Sequence, residues 1–219
     1  MFAKEGLYFI IPSIVINIFI IYLFNYLYYD WFPYFGWFFS PTFILTAFFI
    51  FFFRDPSRTP DGEGILAPTD GTVMFIKQEK SIVTIFIELA ASDIHTQKSP
   101  INGKILNVER IKGAHHPIYF IDKGKTDNDY RIPVSKNARI NIDMVDDEGM
   151  KMRIVQISGA VARRCKAYIK PDDIVNRGQK IGIIMFGSLL LFQLEGKFEI
   201  VTKVGNHVNG GKHVLLKKI

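Results

Sequence analysis

Two long uncharged runs open this chain, Leu7–Tyr29 and Trp31–Phe53, each of 23 residues and separated only by Asp30. About 20 apolar residues cross a bilayer, so the pattern predicts an N-terminal transmembrane helical hairpin over residues 1–53. The first run contains one proline, Pro12, and a polar Asn17. In the second, Pro33, Gly36 and Pro41 crowd the first half. Ser40-Pro41 reads as an N-cap and first helical residue. The helix proper therefore begins near Ser40, with Trp31, Tyr34 and Trp37 as an interfacial aromatic belt. Lys4 precedes the first run, and Arg54 and Arg58 follow the second, so the positive-inside rule puts both ends on the cytoplasmic side. Neither run has the shorter apolar core and small-residue cleavage site of a signal peptide. The other reading is a core helical hairpin of a soluble protein. It is disfavoured because nothing else in the chain is large enough to cover two such helices.

After Phe53 the pattern changes. Residues 54–64, beginning Arg54-Asp55-Pro56-Ser57-Arg58, read as a polar, Pro-containing linker. From 65 to 219 short apolar runs alternate with Gly, Pro, Asn and Asp. Thr72–Ile76, Ile82–Glu88, Lys104–Val108, Arg139–Met144, Met152–Ile157, Lys180–Ile184 and Phe198–Val201 read as strands. Ile169–Gln179 looks like a hairpin, Val204–Lys212 repeats the idea, and no further repeat is read. Long amphipathic helical patterns are scarce. The expected fold class is mainly β (α+β), with a barrel-sandwich-like β domain resembling lipoyl-type domains behind the membrane hairpin.

Composition adds three constraints. The chain of 219 residues suffices for one good-sized domain beyond the hairpin. Its net charge of +6 suits an acidic partner, and the apolar N-terminus favours an anionic membrane surface over nucleic acid. The single cysteine, Cys165, excludes an intramolecular disulfide and a Cys-based zinc site; no metal site is read.

The chemistry-bearing residues are spread along the β-rich part. Phe52-Phe53-Arg54-Asp55-Pro56, Ala67-Pro68-Thr69-Asp70-Gly71, Asp93-Ile94-His95 with Ser99-Pro100-Ile101-Asn102-Gly103, and Asn128-Asp129 precede Gly187-Ser188 in order. With Val155–Arg164 and Asn176–Gly182, these stretches together resemble the phosphatidylserine decarboxylase family, in its compact branch. The resemblance covers roughly residue 53 to the end. It implies self-cleavage between Gly187 and Ser188, giving fragments 1–187 and 188–219 and a covalent pyruvoyl cofactor derived from Ser188. A Schiff base between that group and the serine amine of phosphatidylserine would then release CO2 and leave phosphatidylethanolamine.

Serine is a weak nucleophile that needs a base. His95 is the candidate, because imidazole takes and gives protons near neutral pH. Asp70 is the candidate for fixing its tautomer, as in hydrolase triads, although Asp70-Gly71 is also an ordinary turn signal. The alternative for His95 is a satisfied polar residue at a strand end, and for Ser188, without the family context, a buried strand-end serine. The longer enzymes carry a second His where this chain has Lys98. His115 and His116 are candidates for substrate binding or a surface loop. Arg163 and Arg164 are candidates for a lipid phosphate or a solvated strand end. The compact branch usually has Arg after the Ser; this chain has Leu189. The expected location is the cell membrane with the catalytic domain on the cytoplasmic side, and pairing through β edges is one route to a homo-oligomer. Two other functions remain to be separated from this one. A non-enzymatic membrane adaptor with a lipoyl-like domain would leave the chain uncut. A serine hydrolase would too, and no Gly-x-Ser-x-Gly elbow supports it.

Overall fold

The computed structural model describes residues 2–27, 41–116, 135–159, 164–185 and 188–219. The chain divides into two units, Met1–Ser57 and Arg58–Ile219.

The first unit holds two apolar helices, α1 (Leu7–Leu27) and α2 (Pro41–Phe52). Within it, Lys4–Leu23 is long and apolar enough to cross a membrane. Ile11, Val15, Phe19 and Tyr22 of α1 are exposed, which fits a helix whose solvent is lipid. Asn17 interrupts this surface and is satisfied by α2. Its amide donates to Thr46 Oγ1 at 2.8 Å and to the Thr42 carbonyl at 3.3 Å, and the Thr42 hydroxyl donates back to it. The second helix departs from expectation. Its 12 residues reach only about 18 Å at 1.5 Å per residue, short of the roughly 30 Å hydrocarbon core. A second full span is therefore not seen among the described residues. Residues 31–40, with the proposed aromatic belt, lie outside them.

The second unit is mainly β, as the alternation predicts. Its largest sheet has eight antiparallel strands. They are β2 (Gly71–Glu79), β3 (Ile82–Leu89), β5 (Gly103–Ile111), β6 (Arg139–Val145), β7 (Lys151–Ser158), β9 (Ile174–Val175), β11 (Ser188–Glu195) and β13 (His207–Val208), in the order β13-β2-β3-β11-β7-β6-β5-β9. Two three-stranded sheets complete it. One is β1 (Ile65–Leu66), β14 (Val214–Lys218) and β12 (Phe198–Ile200); the other is β4 (Thr96–Lys98), β10 (Lys180–Met185) and β8 (Arg164–Ala167).

Strand β11 explains the apolar run around the Gly-Ser pair. Leu190, Phe192 and Leu194 enter the main core with Ile85, Ile87, Ile142 and Ile154. Leu189 and Leu191 point to the other face and join Met74, Phe86, Val155 and Ile157 in a second apolar cluster. A strand buried on both faces has no polar alternation to show.

The two turn segments expected as hairpins do not fold on themselves. β9 pairs with the start of β5 (Gly103↔Val175), and β13 pairs with the start of β2 (Val208↔Gly71). Each has two strand residues, too few for a local ladder, and each lies against a glycine. A Cβ on Gly71 would sit 2.2 Å from the Glu88 carbonyl oxygen, and one on Gly103 2.3 Å from that of Val145.

These contacts expose a longer internal repeat. Ala67-Pro68-Thr69-Asp70-Gly71 and Ser99-Pro100-Ile101-Asn102-Gly103 each feed a nine-residue strand. Gly211 N–H donates to the Ala67 carbonyl at 2.8 Å, as Gly178 N–H does to that of Ser99 at 2.7 Å. Gly210 N–H donates to Asp70 Oδ1 at 2.8 Å, and Arg177 N–H to Asn102 Oδ1 at 2.7 Å. The sheet order is symmetric about the β11–β7 pair, with β13, β2 and β3 answering β9, β5 and β6.

Phe192 is fully buried at the centre of this sheet. Its replacement by alanine is expected to destabilise the β-rich unit by about 3–5 kcal/mol, measured by denaturant titration of the detergent-solubilised protein.

Candidate active site

The strand pair on the symmetry axis carries the Gly-Ser pair. Ser188 opens β11 and lies opposite Ser158, the last residue of β7, and Leu89, the last of β3. β10 ends at Met185, so Gly187 falls in the connection 186–187, outside the described residues.

His95 lies just before β4, which pairs with β10. Ile184 N–H donates to the His95 carbonyl at 3.1 Å, so the fold sets His95 beside the strand that leads into Gly187. The histidine is 1% exposed. Its Nδ1 lies 2.8 Å from the Asp93 carbonyl oxygen. A carbonyl only accepts, so Nδ1 carries a proton, and in the neutral ring Nε2 is the basic nitrogen. Asp93 is itself fixed: its carboxylate accepts the Ala90 N–H and lies 2.8 Å from His207 Nε2.

Two buried glutamines support His95 from behind. Gln156 Nε2 donates to Gln97 Oε1 at 2.9 Å, and Gln97 Nε2 donates to the His95 carbonyl at 2.8 Å. Gly182 leaves the space for them, since a Cβ there would lie 2.4 Å from Gln156 Nε2.

Asp70 is buried near His95 but does not bond it. Its carboxylate takes the Arg58 guanidinium fork, the Gly210 N–H at 2.8 Å and the Ile94 N–H at 3.4 Å. The direct carboxylate–imidazole contact expected from hydrolase triads is replaced by the Asp93 carbonyl. The physical reason is the Asp-x-His spacing, which turns the ring back onto its own backbone two residues earlier.

The other candidates fall around Ser188. His115 Nδ1 is 2.9 Å from Ser158 Oγ, the residue opposite Ser188. Asn137, fully buried, clamps the His115-His116 loop to β7. It accepts the His116 N–H, donates to the His116 carbonyl at 3.0 Å and donates to that of Ser158 at 2.7 Å. His116 is exposed and is held by backbone alone. Arg164 is exposed and lies opposite Met185 at the end of β10. Arg163 and Asn128-Asp129 lie outside the described residues.

Sequence reading missed Arg58, Gln97, Asn137, Gln156 and Ser158. Their one signal is a polar side chain within or beside an apolar strand pattern, which marks burial but not purpose.

Residues 45–216 match the phosphatidylserine decarboxylase family. The chain belongs to that family. A protein of Archaeoglobus fulgidus, provisionally assigned as an archaetidylserine decarboxylase proenzyme, is 32% identical over 170 residues, 78% of each chain. A Methanocaldococcus jannaschii protein with the same assignment is 30% identical, covering 80% of this chain and 91% of its own. A phosphatidylserine decarboxylase proenzyme of Geobacter metallireducens is 31% identical over 179 residues, 78% of each chain. This chain is accordingly a decarboxylase proenzyme of phospholipid biosynthesis. Its departure at Leu189 has a structural account: the side chain is fully buried in the second apolar cluster, where a charged residue would be unsatisfied.

Cys165, on β8 beside β10, takes no part in such chemistry. Burial pushes its thiol up to about 12, against a smaller opposing effect of Arg110. Only the thiolate is nucleophilic. Native protein at mildly alkaline pH should therefore react with a maleimide at Cys165 on the order of a hundredfold or more slower than denatured protein, as followed by mass spectrometry.

Proposed function

We propose that this protein cuts itself between Gly187 and Ser188 and then decarboxylates the serine headgroup of phosphatidylserine to phosphatidylethanolamine. The observation that carries this reading is the position of His95. Its backbone is bonded to β10 three residues before Gly187, and its tautomer leaves Nε2 as the acceptor.

In this reading the Ser188 hydroxyl attacks the Gly187 carbonyl carbon and gives its proton to His95 Nε2. The C–N bond breaks, the freed amine of residue 188 takes a proton, and an ester replaces the amide. Removal of the Ser188 α-proton then expels the Gly187 carboxylate, and the dehydroalanine left behind is hydrolysed to a pyruvoyl group and ammonia. The site fits such a group, because residues 188–194 are laddered on both sides, to β3 and β7. A new terminus at 188 is thus held in register after the chain is cut. The pyruvoyl carbonyl would supply the electron sink for the charge left by CO2. His115, held on Ser158 beside position 188, is assigned to the substrate, with His116 and the cationic Arg163 and Arg164 toward the headgroup phosphate.

The apolar N-terminal segment is assigned as a membrane anchor with the β-rich unit on the cytoplasmic side. An anchor in the same chain raises the effective concentration of a substrate that stays in the bilayer. A second substrate, archaetidylserine, is favoured by the names of several relatives. Both lipids carry the same phosphoserine headgroup and differ in their apolar chains.

Intact mass under denaturing conditions tests the first step. Wild-type protein should yield a 32-residue fragment, 188–219, lighter by one ammonia than plain hydrolysis gives, while Ser188→Ala stays whole. An uncut, folded wild type would sink the reading in favour of an adaptor. Under native conditions the two fragments should co-purify. Processed protein offered phosphatidylserine or archaetidylserine in vesicles should release CO2 from the phosphatidyl lipid at least as fast; the reverse preference assigns the ether lipid instead.

A further inference from the structure

The internal repeat provides a control for Asp70. Its counterpart, Asn102, makes the same local bond, in that each side-chain oxygen accepts the backbone N–H of the facing turn, from Gly210 or Arg177. An amide is enough for that bond at position 102. The carboxylate at position 70 therefore answers a different need, and two contacts of Asp70 lack a counterpart at Asn102.

The first is Arg58. Its side chain is 16% exposed and that of Asp70 5% exposed. Nη2 donates to Oδ2 at 2.7 Å, Nη1 donates to Oδ1, and Nη1 also donates to the Gly210 carbonyl at 2.9 Å. The second is the Ile94 N–H. That N–H belongs to the peptide unit whose carbonyl, that of Asp93, accepts His95 Nδ1–H. One peptide plane thus lies between carboxylate and imidazole, with its N–H toward Asp70 and its oxygen toward His95.

Resting on the self-cleavage reading above, we propose that Arg58 is a positioning residue for that reaction. It holds Asp70 against the 93–94 peptide, which keeps the carbonyl aimed at Nδ1. It also cancels the carboxylate charge, so that a buried anion does not hold His95 in its protonated form. A neutral His95 can accept the Ser188 proton; an imidazolium cannot. Other charged groups among the described residues lie on the elements around His95. Asp93, on its own turn, is engaged by His207. Glu88, near the end of β3, lies opposite Thr72 and Leu189. Arg164 on β8 faces Met185, and Lys98 and Lys180 pair at the far end of the β4–β10 ladder.

The sign of the charge makes this testable. Full-length precursor is made by cell-free synthesis with anionic vesicles, and its self-cleavage is timed by intact mass across the neutral pH range. Arg58→Gln leaves Asp70 uncompensated, so the midpoint of the cleavage–pH profile should rise by about one unit, roughly tenfold slower cleavage on the acid side. Asp70→Asn leaves Arg58 uncompensated, and the midpoint should fall; the fold should survive, as Asn102 shows. The double variant should return to the wild-type midpoint. Rates lowered equally at every pH, or unchanged midpoints in both single variants, overturn the proposal. If Arg58→Gln does not fold, the midpoint of Asp70→Asn decides alone. A wild type that stays uncut at every pH overturns the self-cleavage reading itself, which is a separate result.

Discussion

Everything in the β-rich unit depends on the double pairing of β11. Eight consecutive residues from Ser188 onward are laddered to β3 on one side, and seven of them to β7 on the other. The strand's side chains are buried in two separate apolar clusters. A segment so placed contributes core on both faces and backbone hydrogen bonds along both edges. Under the proposed cut between 187 and 188, this double ladder would keep the new terminus from fraying or leaving. The rest of segment 188–219 is bound in the same way. β14 lies between β1 and β12, and β13 closes one edge of the large sheet on β2.

The symmetry of the sheet puts that strand where two halves of a repeat meet. In both halves a Pro-x-x-Gly turn enters a long strand, a side-chain oxygen before the Gly caps a distant turn, and the glycine admits a carbonyl where a Cβ would clash. The halves differ in charge. Asn102 is neutral, whereas Asp70 is an anion paired with Arg58. His95 and Asp93 lie in the segment that follows β3, in the charged half, while His115 follows β5 in the other.

β6 was legible from alternation because it buries one face, with Ile140, Ile142 and Met144 turned inward between partly exposed neighbours. The family was legible from ordered short motifs. The hairpins at 169–179 and 204–212 were misread, because turn chemistry marks where a chain bends but not which strand it then meets. Asp70 and His95 were legible as candidates to act together, but not the peptide plane between them. The second apolar run was read as a span from its length, whereas its described helix covers only Pro41–Phe52.

The sequence by itself determined the mainly β class, the apolar N-terminal segment, the Gly-Ser pair and the residues able to take and give protons near it. Those features are local, set by side-chain type and spacing. Only the tertiary structure decided that Asn137 and Ser158 hold His115 beside position 188. It alone showed that Leu189 is a packing residue, and that Arg58, 37 positions before His95 in the chain, pairs with the carboxylate that contacts the Ile94 N–H. Each of these is a hydrogen bond or a contact between segments far apart in sequence. Which partner a buried polar group finds depends on strand order and register, which the whole core sets together.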